Sequence, residues 1–352
     1  MKPDRFSPPT LKDVAREAGV SAQTISNYLT GRTQPRGKNL ERIQQAIHKL
    51  NYRPSAAARA LRLRQSNILG MIFEDVVDKN QASLREGWEP LHTLFLQGAT
   101  MKAREHDFYV TTVLAWHGEA EDHAAHLVRE GRADGLIFSS EAMTPEQLAR
   151  IQNVAATERA PLVLLQENTR SEGCCAGYAE DEVGGEKAAR HFWDLGHRTV
   201  AVATVKPDWP GPIRRARAFK EAAERLEMRV TEWAADAYTI DAVRSCVRAA
   251  LSENDRPSAV FAVNDIVAVA IIQQATELGV SVPGKLSVIG FNDLEIASYF
   301  RPAITTIKTP AKQMGARAAE VLIEALRGRP LEDAVVLPVE FIERESTARA
   351  PS

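Results

Sequence analysis

The sequence predicts a small all-α head followed by an α/β body of two doubly wound subdomains, each built on a parallel sheet. The chain of 352 residues is too long for one ordinary domain. Its net charge of −2 divides unevenly: residues 1–64 carry 13 basic and 4 acidic side chains (13 − 4 = +9), which leaves −2 − 9 = −11 for the remainder. From Ser66 onward, short apolar runs alternate with helical patterns, as in parallel sheets covered by helices.

The head is organised around residues 11–31, which read as a helix, a short turn and a second helix. Thr10 and Asp13 form a capping-box pattern that begins the first helix, and Gly19 ends it. Ser21 is a strong N-cap for a second helix over residues 22–29. A third helix over roughly 40–50 places its apolar side chains on one face, where they can cover the first two.

The second helix divides its side chains between two faces. Ile25 and Leu29 turn inward, which leaves small or polar side chains on the other side: Ala22, Gln23, Ser26 and Asn27. A helix-turn-helix that reads DNA needs this division, because one face packs the unit while the other enters the major groove. The basic charge of the head favours contact with phosphates, although an ordinary helical hairpin would show the same capping.

Residues 54–66 join the head to the body. Pro54 begins an alanine-rich stretch with one large apolar side chain, Leu61, among arginines that include Arg59. So short a helix cannot bury enough apolar surface to be stable alone in water. Two interpretations stay open: a frayed linker, or a hinge helix that orders on DNA with Leu61 as a wedge in the minor groove.

The body is predicted to alternate strands with helices. Its predicted strands are 68–73, 109–115, 135–139, 162–165, 200–204, 259–263 and 286–290. Its predicted helices are 94–105, 121–130, 184–194, 214–226, 240–251 and 265–278. Ligands bind such sheets at the carboxyl ends of the strands, so two facing subdomains should hold a ligand between them.

Several function classes are disfavoured. We expect no enzyme, since the sequence has no GxSxG elbow, no GxxxxGK[ST] phosphate loop and no GxGxxG fingerprint. The three cysteines, Cys174, Cys175 and Cys246, offer no metal-ligand spacing and are expected to be reduced thiols, with no metal and no cofactor. No apolar run approaches a membrane span and the first ten residues lack a signal-peptide core, so a cytoplasmic protein is expected.

Five motifs occur in an order that resembles the lactose-repressor (LacI/GalR) family of bacterial transcription regulators. They are TLKDVAREAGVSAQTISNYLTG, NYRPSAAARALR, LGHRTVAV, NDIVAVAIIQQATELGVSVPGKLSVIGFND and PAITTIK, and they span nearly the whole chain. The resemblance implies a helix-turn-helix head, a hinge helix and a core like periplasmic sugar-binding proteins. It also implies a homodimer that binds pseudo-palindromic operator DNA and responds to a small-molecule effector bound between the two core subdomains.

The resemblance also implies site residues. The DNA-binding set is Thr10, Ser21, Ala22, Gln23, Thr24, Ser26, Asn27, Arg32, Ser55, Arg59 and Leu61. The effector-binding set is His92, Trp209, Arg215, Asn264 and Asn292. Plainer roles stay open for four of the second set: Arg215 on a solvated cationic face with Arg214 and Arg217, Asn264 as an N-cap, Asn292 as a turn former and Trp209 as a loop plug.

Two positions depart from the family pattern. Most members have arginine where this chain has Asn27, and asparagine prefers adenine, so we predict a half-site that differs at that base pair. Asn292 replaces a usual acid, and its amide can both donate and accept hydrogen bonds.

The expected domains are a DNA-binding head (1–53), a hinge (54–66), an effector and dimerisation core (67–345) and a tail (346–352). The expected function is a repressor controlled by a sugar or related metabolite. A corepressor-dependent regulator or an activator is the alternative, and a cytosolic solute-binding protein is a distant one.

Overall fold

The computed structural model describes residues 9–29, 32–52, 65–75, 90–116, 118–139, 144–168, 173–206, 210–237, 239–252 and 256–351. The chain separates into two compact units, Met1–Ser66 and Asn67–Ser352. The predicted hinge helix at 54–61 lies outside the described residues. In the part of the chain that is described, no helix is long and apolar enough to cross a membrane.

The described residues of the first unit form three short helices: α1 (Leu11–Ala18), α2 (Ala22–Leu29) and α3 (Lys38–Lys49). The predicted capping box is confirmed, because Thr10 and Asp13 hydrogen-bond each other's backbone amides. Gly19 ends α1 at φ 62°, a left-handed conformation that glycine adopts without a steric cost. A buried cluster closes the three helices, formed by Val14, Ala15, Ala18, Ile25, Ile43, Ala46 and Tyr52.

The second unit contains two six-stranded sheets of the same strand order. Sheet A comprises β1 (Ile68–Asp75), β2 (Tyr109–Trp116), β3 (Gly135–Ser139), β4 (Leu162–Leu165), β5 (Cys174–Ala179) and β11 (Ala334–Leu337), in the order β11-β5-β4-β3-β1-β2. All its pairings are parallel. Sheet A is accompanied by α4 (Pro90–Glu105), α5 (Ala120–Arg129) and α6 (Pro145–Glu158).

Sheet B comprises β6 (Thr199–Val205), β7 (Arg229–Ala235), β8 (Ala259–Ala262), β9 (Ser287–Asn292), β10 (Thr305–Lys308) and β12 (Glu340–Ile342), in the order β12-β10-β9-β8-β6-β7. Only the edge pair β10–β12 of these described pairings is antiparallel. Its helices are α7 (Asp181–Asp194), α8 (Pro210–Arg225), α9 (Ile240–Leu251), α10 (Asp265–Glu277) and α11 (Glu295–Tyr299), while α12 (Ala311–Leu326) returns the chain to sheet A.

The predicted fold class is confirmed, with all seven predicted strands and all six predicted body helices present. Five further strands and three further helices were not predicted: β5, β7, β10, β11, β12, α6, α11 and α12. The described cysteines are free thiols, and burial raises the pKa of the Cys175 thiol to about 12. The last described residues also belong to the body, since Ser346 is fully buried and donates to the Val288 carbonyl of β9.

The chain crosses between the two sheets three times, after β5, after β10 and between β11 and β12. The first and third crossings are joined by the Glu180 amide, which donates to the Leu337 carbonyl. At the second crossing, the Thr309 hydroxyl donates to the Asn292 side-chain oxygen at 3.0 Å. Two sheets joined by several crossings form subdomains whose separation can change only by bending at these residues.

Helices α4 and α12 cross at very short range, and each has a glycine at the contact. A Cβ on Gly98 would lie 1.8 Å from the Lys312 carbonyl oxygen, and one on Gly315 would lie 2.0 Å from the Phe95 carbonyl oxygen. Because both helices pack on strands of sheet A, this crossing stabilises the subdomain built on that sheet.

Candidate functional sites

The second helix of the head presents the polar face that the sequence predicts. Ile25 is fully buried in the head cluster, whereas Ala22 and Gln23 are exposed and Ser26 and Asn27 are half-buried. The amide of Gln23 donates to the side-chain oxygen of Asn27 at 2.9 Å, one helical turn further on. The two amides therefore form a hydrogen-bonded pair on the surface of α2.

Three other members of the predicted DNA-binding set have structural roles at helix ends. Thr10 caps α1, and the Ser21 hydroxyl accepts from the Thr24 amide at 3.1 Å at the start of α2. Thr24 also shares a hydrogen bond between its hydroxyl and that of Ser21. Arg32 is exposed in the loop before α3. The predicted contacts Ser55, Arg59 and Leu61 lie outside the described residues.

A buried network of ionic groups lies at the carboxyl ends of both sheets. Arg215 donates from Nε to Asp181 at 2.8 Å and from Nη1 to the Val263 carbonyl at 3.0 Å. Its guanidinium carbon stands 3.9 Å from the centre of the Phe291 ring, a cation–π contact. Asp181 begins α7 shortly after β5, Val263 directly follows β8, and Phe291 is the penultimate residue of β9. The network therefore spans the region between the subdomains where doubly wound sheets bind ligands.

Arg214 joins the same network from the neighbouring position of α8. It donates to Asp181 at 2.8 Å and to the Gln166 carbonyl, at the end of β4, at 3.3 Å. Arg214 is 5% exposed and Arg215 is 6% exposed. The interpretation of these arginines as a solvated cationic face is therefore wrong, and among the three it describes only Arg217, whose side chain is 62% exposed.

Asn264 occupies the N-cap of α10. Its side-chain oxygen accepts from the Val267 amide at 2.8 Å, and the residue is buried directly after Val263, whose carbonyl binds Arg215. Asn264 thus has the N-cap role that the sequence left open, and it lies next to the arginine network.

Asn292 ends β9 with φ 104°, an unusual conformation for a residue other than glycine. The residue is buried, and its side-chain oxygen is occupied by the Thr309 hydroxyl at the second crossing. A residue held in such a conformation is fixed by its surroundings. The structure therefore places Asn292 at the connection between the sheets.

His92 lies near the start of α4 and is buried. Its ring stacks on that of Phe73, at the end of β1, with 4.4 Å between ring centres and 28° between planes. This position is at the carboxyl edge of sheet A. Trp209, the remaining predicted effector residue, lies outside the described residues.

Sequence reasoning missed three members of the network. Gln166 follows a four-residue strand, and Asp181 begins a helix after a strand that was not predicted. Arg214 appears in the sequence only as a neighbour of Arg215 and Arg217, with which it could equally form a solvated cationic face. The available signal was Asp181, because an acid at the start of a helix in an α/β body can pair with cations at the edge of the sheet.

A second buried carboxyl lies beside the effector region. Asp265 accepts from the Leu294 amide at 2.7 Å and from the Thr306 hydroxyl at 2.6 Å. Burial raises its pKa to about 7, although both hydrogen bonds act in the opposite direction. Asp293 nearby pairs with Arg344, so its charge is compensated locally. Among the described residues, no group of histidine, cysteine and acidic side chains could hold a metal ion.

Two family models match this chain. "Bacterial regulatory proteins, lacI family" matches residues 10–55, which contain the three head helices, and "Periplasmic binding protein-like domain" matches residues 189–347 of the body. The chain therefore combines a LacI-family DNA-binding domain with a periplasmic-binding-protein-like domain.

Curated relatives match nearly the full length. The HTH-type transcriptional repressor PurR of Aliivibrio fischeri (strain ATCC 700601 / ES114) is 29% identical over 348 residues, covering 96% of this chain and 98% of the relative. The HTH-type transcriptional regulator DegA of Bacillus subtilis (strain 168) is 25% identical over 343 residues, with the same coverage of 96% and 98%.

Solved structures share the fold. The lac repressor dimer bound to operator and the anti-inducer ONPF has a TM-score of 0.82 at 22% identity, covering 97% of this chain and 100% of that chain. The transcriptional regulator CelR in complex with cellobiose has a TM-score of 0.67 at 22% identity, covering 96% and 99%.

Proposed function

We propose that this LacI-family regulator is a cytoplasmic transcriptional repressor. It binds a pseudo-palindromic operator as a homodimer through α2, and a small metabolite bound between the two core subdomains changes its affinity for DNA. It needs no cofactor besides this effector. The observation that carries the proposal is the polar face of α2, where Gln23 and Asn27 pair above a buried Ile25.

The recognition helix has the properties that DNA reading requires. A major groove admits one helix, whose exposed amides can read base edges while its buried face packs the head. The charge of +9 on residues 1–64 (13 − 4) supplies attraction to phosphates. Two-fold symmetric half-sites require two heads, which supports a dimer. The relatives named as repressors support repression as the direction of control.

Effector control is supported by the arginine network and the three crossings. The network touches both sheets, because Arg214 donates to the Gln166 carbonyl after β4 and Arg215 donates to the Val263 carbonyl after β8. A ligand there meets both subdomains and can favour one degree of closure over another. It shifts that equilibrium only by the difference between its affinities for the two arrangements. A sugar or related metabolite is the effector class we propose, as the solved relatives include complexes with cellobiose and with ribose.

Selection of bound sequences from a random DNA pool tests the proposed function. The full chain should enrich a two-fold symmetric sequence, and the base pair facing Asn27 should be A·T, because an amide that donates to adenine N7 and accepts from N6 prefers that base. Replacing Asn27 with Ala should relax the preference at that pair and lower affinity about tenfold, the scale of one good base contact of roughly 1–3 kcal/mol.

The matched control is Gln45→Ala, which removes an exposed amide from α3 of the same head. It should leave the selected sequence and the affinity unchanged. No enrichment by the full chain would overturn the proposed function. A retained G·C preference at that pair would overturn only the assignment of Asn27.

A further inference from the structure

The arginine network of the core carries more positive than negative charge. Two guanidinium groups, those of Arg214 and Arg215, share the single carboxylate of Asp181, each at 2.8 Å. All three side chains are at most 7% exposed. A buried charge is costly unless it is paired, so the second guanidinium is incompletely compensated by Asp181. The next acid, Glu182, lies 3.9 Å from Arg214 but is 40% exposed and also faces Arg217 at 4.0 Å, so water screens it.

Arg214 has a hydrogen-bond donor without an acceptor. Its Nε is buried and makes no hydrogen bond to the described residues, since the Glu182 carboxylate that faces it is 3.9 Å away, while its Nη2 donates to Asp181 and to the Gln166 carbonyl. Unpaired buried donors are rare in folded proteins because each costs free energy. A guanidinium with one unused N–H can donate a further hydrogen bond to an anionic oxygen.

The backbone around these arginines also favours an anion. Both lie on α8, whose first turn contains Gly211; a Cβ there would stand 3.6 Å from Arg215 Nη2 and from Asp181 Oδ2. A side chain there would thus be in van der Waals contact with both charged groups. The N-terminal end of a sixteen-residue helix contributes a partial positive charge to the same place.

We infer that the effector of this chain is an anion, a small metabolite whose carboxylate or phosphate is bound by Arg214 and Arg215 between the two sheets. This inference rests on the proposed function, since it names the chemical class of the effector at that same site. The anion supplies the acceptor that Arg214 Nε lacks and compensates the second guanidinium. A neutral sugar offers hydroxyl oxygens but no charge, and so leaves the network positive.

Thermal unfolding and calorimetry of the full chain test the inference with named probes. Inorganic phosphate and acetate are compared with chloride at equal ionic strength, and glucose 6-phosphate and gluconate are compared with glucose. We expect phosphate or acetate to raise the unfolding temperature above the chloride control, and the corresponding sugar anion to bind at least tenfold more tightly than glucose. Tighter binding of glucose 6-phosphate than of gluconate would indicate a phosphorylated effector, and the reverse order would indicate a carboxylate.

Arginine variants test whether the anions bind at this site. Arg214→Gln keeps an amide donor for the Gln166 carbonyl and should weaken anion binding at least tenfold, whereas Arg214→Lys keeps the charge and should weaken it less. Arg217→Gln is the matched control, an exposed arginine of the same helix paired only with exposed acids, and should bind as the wild type does.

Equal stabilisation by phosphate, acetate and chloride would overturn the inference, as would equal affinity for glucose and both sugar anions. Equal losses in Arg214→Gln and Arg217→Gln would do the same, since they would indicate only diffuse charge. The selection experiment keeps the two proposals separate. A chain that selects an operator and releases it with a neutral sugar alone retains the proposed function and loses this inference, and a chain that binds anions without selecting DNA shows the reverse.

Discussion

Replacing Gly98 with alanine should force α4 and α12 apart. The added Cβ would lie 1.8 Å from the Lys312 carbonyl oxygen, whereas ordinary contacts begin near 3.4 Å, so the helices must separate locally by about 3.4 − 1.8 = 1.6 Å. The atom it meets belongs to the backbone of a long helix. No side-chain rotation can therefore relieve the contact.

The expected cost follows from this geometry. Overpacking a well-packed interior costs about 1–3 kcal/mol, and a clash with backbone belongs at the upper end, about 3 kcal/mol. For a domain of this size each kcal/mol lowers the unfolding temperature by about 2–4 °C, which gives a decrease of about 6–12 °C for the core. Gly315→Ala meets the Phe95 carbonyl at 2.0 Å and should cost a similar amount.

Calorimetric unfolding of the core measures the decrease. Gly284→Ala is the control, because that glycine lies in an exposed turn where the nearest atom is the movable Ser281 hydroxyl at 2.9 Å. The double variant Gly98→Ala/Gly315→Ala should cost less than the sum of the single variants, since one separation of the helices relieves both clashes. A decrease in Gly98→Ala no larger than in Gly284→Ala, or strict additivity in the double variant, would refute the reasoning.

Two further predictions concern charge. The folded-state pKa of Asp265, about 7, lies above its ordinary value of 3.8, so its contribution to stability is complete below about pH 4 and is lost as the pH rises through 7. Asp265→Asn stays neutral, so its unfolding temperature should improve relative to the wild type between pH 5 and 8; parallel curves would contradict this. Operator affinity should fall steeply with salt, and Arg32→Gln should reduce the slope of log K against log salt by about one, measured by fluorescence anisotropy; an unchanged slope would remove Arg32 from the phosphate contacts.

Periodicity made much of the fold predictable. Strands such as β1 and β8 are apolar runs that both faces of a sheet bury, and α10 follows at once with its own cap. The missed strands lack this pattern. β5 reads CCAGYA, with small side chains that give little strand preference, and the edge strand β7 has an exposed Arg229 and Glu232. Strands at a sheet edge or with small side chains form because a neighbouring strand pairs with them, and the local sequence does not show that pairing.

The head was more predictable than the cleft for a physical reason. The capping of α1 and α2 and the polar face of α2 are local, since every relevant contact joins residues at most four positions apart. The arginine network joins α8 to Asp181 and Gln166, which precede Arg214 by 33 and 48 residues. Its members adjoin only after both sheets have formed, so no spacing in the sequence could separate buried Arg214 from exposed Arg217.

The position of the network also bears on how a ligand could control the distance between the subdomains. Arg214 reaches the Gln166 carbonyl of sheet A from a helix of sheet B at 3.3 Å, the longer of its two described hydrogen bonds. An anion that draws the guanidinium towards itself competes with this bond, whereas one bridging Arg214 and sheet A strengthens the closure. Because Thr309 donates to Asn292 at the second crossing, we expect either displacement to rotate one subdomain against the other about that connection. Under the inference that the effector is an anion, the same residues can serve an inducer or a corepressor, and we expect the geometry of the bound anion to decide between them.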